Sequence, residues 1–143
     1  MTQLKYLNYL NIKHDYERHN CITIISDIYK EHLSLNTFDT IWKLTNLSNG
    51  KITEGRNWMK RFSLQDIEIW ASTVARKVNL TELQEYDVIL FKSSTSLPTH
   101  FGLYVGDNKF LHLEEGKHSK IDRLDERWRA LISNAWRPIG LNI

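Results

Sequence analysis

From residue 87 onward the apolar residues of this chain fall into short runs separated by turn formers, and no other feature restricts the fold as tightly. Asp87-Val88-Ile89-Leu90-Phe91 reads as a buried strand, His100-Phe101-Gly102-Leu103-Tyr104-Val105 as a second and Lys109-Phe110-Leu111-His112-Leu113 as a third. Gly106-Asp107-Asn108 supplies the turn between the last two. A turn at Gly116 leads to a short strand near Lys120 to Leu124, then a helical segment Asp125 to Ile132 and a closing strand Ala135-Trp136-Arg137.

The N-terminal half reads differently. Leu4 to Leu10 carry apolar residues at helical spacing and give way to a polar loop, Asn11 to Asn20. From Cys21 the apolar positions Ile22, Ile24, Ile25, Ile28 and Tyr29 fit a period of 3.6, with Asp27, Lys30 and Glu31 opposite. The β-branched run pulls toward a strand, but the spacing favours a helix with Asn20 as its N-cap. Leu33 to Arg61 hold a short helix around Phe38 to Leu44 and a surface excursion. Ser63-Leu64-Gln65-Asp66 then reads as a capping box opening a helix with the stripe Ile67, Trp70, Ala71, Val74 and Val78. Helices first and an antiparallel meander afterwards predict an α+β fold, and 143 residues suffice for one hydrophobic core, so residues 1–143 form a single domain.

Charge and cysteine content exclude several classes. Nineteen Lys and Arg against seventeen Asp and Glu leave a net charge of +2 with the signs interspersed, which does not make the one-sided basic face of a nucleic-acid binder. The longest apolar run, Val88 to Phe91, is far short of the roughly 20 residues of a membrane helix, and the N-terminus lacks a signal-peptide core. The single cysteine rules out an internal disulfide and paired-cysteine metal motifs. A metal held by His100, His112 and His118 lacks the short ligand spacings of zinc sites, so no metal and no cofactor is expected.

The hairpin and the cysteine together suggest chemistry. With a three-residue loop, paired residues have numbers summing to 214, His112 faces Gly102, and His100 lies diagonally from His112 on the same face. A two-residue loop would put the two histidines on opposite faces. At the first turn of its helix Cys21 meets unpaired N–H groups that favour the thiolate. Packing that helix on the face bearing His100 would assemble a nucleophile, a base and a group to orient the base. A bland reading stands beside this one: a lone cysteine is commonly a small buried hydrophobe, and His14, His19 and His32 sit in polar, solvated contexts while His118 follows a turn glycine at the surface. Trp42, Trp58 and Trp70 read as core anchors, with Trp128 and Trp136 as candidates to line a groove.

These residues resemble the NlpC/P60 cysteine peptidases, papain-like hydrolases of peptidoglycan stem peptides, and in particular the version found in phage tail-assembly proteins. Tyr16-Glu17-Arg18-His19-Asn20-Cys21 is similar to the segment leading to the family's catalytic cysteine, and Glu85 to Phe91 to its "GDVLLF" strand. His100 to Gly106 resembles "HVGIYLG", Phe110-Leu111-His112 resembles "ILH", and the tail from Gly116 through Trp136-Arg137-Pro138 is similar to the closing part of the phage version. Leu33 to Asn79 are almost unmatched. Where the wall enzymes usually read Asp-Cys-Ser-Gly this chain has Asn20-Cys21-Ile22-Thr23, and Glu85-Tyr86 replaces the usual turn glycine before Asp87.

The resemblance implies a papain-like NlpC/P60 fold with N-terminal helices packed on a small antiparallel sheet. It implies Cys21 as nucleophile, His100 as general base and then acid, and His112 as the residue orienting His100, with Tyr16 and Asn20 on the substrate and oxyanion side. It further implies a bacterial peptidoglycan peptide as substrate, cut between D-glutamate and diaminopimelate, phage tail proteins as partners, and a place in the virion tail acting on the host envelope. A tail component that keeps the fold for docking alone is the alternative. A permuted lipid acyltransferase of the same superfamily is disfavoured because there the histidine precedes the cysteine.

Overall fold

The computed structural model describes residues 2–15, 21–36, 71–92, 98–114 and 116–139. The expected helix around Phe38 to Leu44 and the capping box Ser63 to Asp66 lie outside these residues. A six-stranded antiparallel sheet organises the chain, made of β1 (Ala75–Lys77), β2 (Val88–Lys92), β3 (Pro98–Gly106), β4 (Lys109–His112), β5 (Lys120–Arg123) and β6 (Ile132–Pro138). Its spatial order is β1-β6-β2-β3-β4-β5. A 3-10 helix (Thr2–Tyr9), helix α1 (Cys21–Ile28) continued by a π turn (Tyr29–Leu33), a helical turn at residues 71–74, a second 3-10 helix (Leu80–Glu82) and a short α2 (Glu126–Ala130) accompany it among the described residues. The arrangement is α+β, as expected.

Strand alternation sorts the apolar side chains onto two faces. One face carries Val88, Leu90, Phe101, Leu103, Val105 and Leu111, and packs against Cys21, Ile22, Ile24, Ile25 and Ile28 of α1. The other carries Ile89, Phe91 and Phe110, with Leu124, Ala135 and the partly buried Trp128. Ile22, Ile24, Ile25 and Ile28 are each at most 3% exposed. Burying each isoleucine side chain is worth about 1.5–3 kcal/mol, against a helix-propensity cost of a few tenths, so tertiary packing decides in favour of the helix.

The hairpin register keeps its expected parity by an unexpected route. Gly102 pairs with His112, Leu103 with Leu111 and Tyr104 with Phe110, but the last pair is Gly106 with Lys109. The loop is therefore the two residues Asp107 and Asn108, whose φ values of 53° and 58° are those of a type I′ turn. Val105 is the extra residue of a bulge. One residue is lost from the loop and regained in the strand, so His100 and His112 stay on one face.

Two expectations fail. Val74 and Val78 do not share one helical stripe: the helix reaches only residue 74, and Ala75–Lys77 then pair with Pro138, Arg137 and Trp136 as strand β1. Val74 packs with the α1-side cluster and Val78 with the opposite one. Nor is the segment after residue 10 a free loop. Asn11 N–H donates to Ser119 O (2.9 Å), Ser119 N–H to Ile12 O (2.8 Å) and His14 N–H to Lys117 O (2.9 Å). The buried Ser119 hydroxyl donates to Tyr9 O (2.6 Å) and accepts from the Ile12 N–H (2.9 Å), which clamps this strap to the far edge of the sheet.

Beneath the strands, Asp87 is fully buried and accepts from Arg137 at 2.8 and 2.9 Å and from the Gln84 N–H at 2.8 Å. Arg137 also donates to Glu82 O (3.0 Å). Both Asp87 oxygens and the Nε and Nη2 groups of Arg137 are matched, the kind of pairing that burying these charges requires. The link holds β6 to the entry of β2, and with it the strand from which β3 takes its position.

Candidate active site

Cys21 is the first residue of α1 and only 6% exposed. Its sulfur lies among the backbone N–H groups of Phe101, of Cys21 itself and of Ile22, which favour the thiolate, but burial outweighs them and pushes the thiol up to about 11. The expectation of an acidified thiol is therefore reversed. Its physical reason is the same packing that made α1 a helix: the first turn that supplies N–H groups is sunk into apolar surroundings. Contact with Phe101 places the sulfur beside β3 one residue beyond His100.

The two imidazoles meet as expected. His100 Nε2 and His112 Nδ1 are 2.8 Å apart, with the rings 5.1 Å between centroids and 70° to each other. They do not stand over open space, however. Gly102 is covered by aromatic rings: Phe91 and Phe110 are 5.1 Å apart, His100 leans on Phe91 at 5.9 Å and His112 on Phe110 at 4.4 Å. A Cβ built on Gly102 would come within 2.9 Å of Phe110 Cδ2 and 3.0 Å of Phe91 Cε2, so the glycine makes room for the floor on which the imidazoles rest.

Nor does α1 pack on the face that bears the histidines. Phe101 and its alternates point to α1, whereas His100, Gly102 and His112 share the face of Phe91 and Phe110. The sulfur therefore sits on the α1 side beside the backbone of Phe101, while the imidazole of the preceding residue, His100, belongs to the other face of β3.

Burial, the charge of His112 and that of His14 lower His100 to about 3, so it is a neutral base at neutral pH. Burial also lowers His112, against the opposing pull of Asp122. His112 has no exposed surface, and its Nε2 is 2.6 Å from Asp122 Oδ2. Asp122 lies below the usual carboxylate range: partial burial works against this, and the His112 hydrogen bond and Lys120 at 3.5 Å overcome it. The contact is a charge-assisted hydrogen bond between a neutral ring and a carboxylate.

Asp122 was not singled out from the sequence. It sits on β5 opposite Phe110, diagonal to His112, and only the register of a fourth paired strand brings it there. An aspartate in the strand after a candidate histidine was the available signal. Trp128 was anticipated as a groove residue, and its ring packs edge-on to His112 at 5.1 Å. With Glu114, Lys120, Asp122 and Arg127 it lines a cavity of about 350 Å³ at the outer end of the histidine pair. Trp136, by contrast, is buried in the α1-side core.

Tyr16 and Asn20 lie outside the described residues. His118 is exposed, as expected. His32 is not free in solvent: its Nδ1 lies 3.1 Å from Tyr86 Oη, and its ring packs against Tyr6, Tyr9 and Tyr86. His14 is half-buried by the strap and close enough for its charge to be felt at His100. Among the described residues, His112, Glu114 and Asp122 bring potential ligand atoms within 4.8 Å of one another. Lys117 (3.6 Å from Glu114) and Lys120 already bring positive charge to both carboxylates, and His112 and Asp122 satisfy each other.

No described helix is long and apolar enough to cross a membrane. The NlpC/P60 family pattern matches residues 15–137. A probable endopeptidase NlpC homolog of Haemophilus influenzae is 35% identical over 57 residues, covering 40% of this chain and 29% of that protein. Tail tip assembly protein K of Escherichia phage lambda is 33% identical over 61 residues, covering 43% and 31%. The chain thus spans under a third of the length of these curated relatives. An NlpC/P60 family protein from Bacillus cereus superposes with a TM-score of 0.56 at 16% identity, covering 92% of this chain and 37% of that one. A Staphylococcus aureus protein similar to a lipoprotein of the NLP/P60 family does so at 0.56 and 18%, covering 98% and 42%. With one family pattern accounting for residues from the strap to the last strand, and the fold shared with both solved neighbours, the chain belongs to the NlpC/P60 family.

Proposed function

We propose that this chain is a cysteine endopeptidase of peptidoglycan stem peptides that works as a component of a phage tail. The observation that carries the reading is the hydrogen-bonded His100–His112 pair at the end of the strand beside which Cys21 is seated. Family membership supports a hydrolase, and the likeness to a tail tip assembly protein supports tail proteins as partners and the virion tail as its place. The bond cut is the amide between D-glutamate and diaminopimelate.

At rest the pair is thiol and neutral imidazole, not thiolate and imidazolium, because burial disfavours both charged forms. His100 then acts as a general base during attack: the Cys21 S–H proton passes to His100 as sulfur bonds to the carbonyl carbon. The resulting oxyanion is held by N–H donors that include the Cys21 backbone, and the family resemblance assigns Tyr16 and Asn20 to substrate and oxyanion roles. When the C–N bond breaks, the leaving amine takes the proton from His100, and an acyl thioester remains. Water attacks that thioester while His100 takes its proton. Breaking the C–S bond frees the acid, and the proton returns to sulfur.

Purified muropeptides incubated with the wild type and with Cys21→Ala, followed by mass spectrometry, test this. Cleavage by the wild type alone is expected. Muropeptides left intact by both would overturn the reading.

One observation favours the second reading, a tail component that keeps the fold for docking: a thiol 6% exposed and raised to about 11 is a poor resting nucleophile. The same digestion separates the two.

A further inference from the structure

The histidine pair continues into a third group, and counting the protons along it leads to a definite arrangement. An ionised Asp122 offers no proton, so the 2.6 Å contact with His112 requires the hydrogen to sit on His112 Nε2. A neutral imidazole carries one N–H, so His112 Nδ1 is left with a lone pair. That lone pair lies 2.8 Å from His100 Nε2, which must therefore carry the hydrogen of that contact. His100 is neutral as well, and its only remaining acceptor is Nδ1.

We propose that Asp122 is a positioning residue that selects the basic nitrogen of His100: by holding His112 in its Nε2–H form it holds His100 in the same form and leaves Nδ1 to take the proton of the nucleophile. The catalytic consequence rests on the endopeptidase reading above; the proton placement does not. Without the carboxylate, His112 could carry its hydrogen on Nδ1 and donate to His100 Nε2. His100 would then bear its own N–H on Nδ1, where no proton could be accepted.

Three features keep the arrangement in one state. His112 is completely buried, so water cannot substitute for either partner. Trp128 closes on its ring from the edge, at 80° and 5.1 Å. Lys120, 3.5 Å from the same carboxylate oxygen, keeps Asp122 ionised and close to the ring.

Histidine labelled with ¹⁵N in the full chain, read by long-range ¹H–¹⁵N correlation at pH 7, tests the proposal directly. The wild type is expected to show His112 and His100 both with the hydrogen on Nε2. Asp122→Ala should redistribute the His112 hydrogen and lower kcat on muropeptides about 10- to 100-fold with KM little changed. Asp122→Glu should restore the nitrogen pattern and part of the rate. A purely structural role would lower the melting temperature of Asp122→Ala without moving the nitrogen signals. That result, or a wild-type His112 carrying its hydrogen on Nδ1, would overturn the proposal. If the wild type cleaves nothing, the hydrolase reading falls while the nitrogen signals still decide the role of Asp122.

Discussion

Gly102 faces His112 across the β3–β4 ladder, and the space above its α-carbon belongs to Phe110, the ring on which His112 leans. A methyl group there would have to displace Phe110 or Phe91, both fully or nearly fully buried. Gly102→Ala is therefore expected to destabilise the fold by about 1–3 kcal/mol, the usual cost of overpacking. Because the displaced ring supports His112, activity on muropeptides should fall further than the loss of folded protein explains. Urea unfolding compared with the rate per folded molecule checks both parts.

Arg137→Ala leaves Asp87 buried with its carboxylate accepting, among the described residues, from the Gln84 N–H alone. A loss of about 3–5 kcal/mol is expected, because an uncompensated buried charge remains. Replacing both members, Asp87→Leu with Arg137→Met, should cost less than the single change. A double mutant no more stable than Arg137→Ala in urea would show that the pair contributes more than mutual neutralisation.

Alkylation of Cys21 by iodoacetamide should be slow at pH 7 and rise toward pH 11. Burial holds the thiol up to about 11, so the reactive thiolate is scarce until the solution approaches that value. A rate already at its plateau below pH 7 would show a preformed thiolate and contradict the neutral resting pair.

Stability should fall as pH is lowered from about 6.5 to 4.5. An unfolded imidazole binds a proton below about 6.5. Folded His100 does not until about pH 3, and His112 is lowered too. Unfolding therefore takes up protons throughout this window, so stability declines with acid by at most about 1.4 kcal/mol per pH unit for each histidine. The depressed carboxyl of Asp122 adds to this decline mainly below about pH 4, where an unfolded aspartate takes up its proton and the folded one does not. Urea midpoints at pH 7.5, 6 and 4.5 measure the slope, and His100→Gln should flatten it.

By itself the sequence determined the pieces that depend on local patterning. Period and turn chemistry marked strands β2 to β6, the helix starting at Cys21 and the α+β class, and residue alternation put His100 and His112 on one side of the sheet. What it could not carry was any outcome settled by competition between distant groups. Val74 and Val78 have helical spacing, yet pairing with β6 outbids the helix there, and the ladder sends them to opposite faces. The hairpin kept its parity only because a bulge at Val105 replaced a loop residue. Helix position alone argues for an acidic Cys21, whereas the depth to which packing sinks α1 reverses the sign. Asp122 reaches His112 through the register of β4 with β5, a relation between strands that no single segment encodes. Spacing along a chain sets which side chains share a face, but burial and partner distance depend on what the rest of the chain brings there, and those set the protonation of each group in the site.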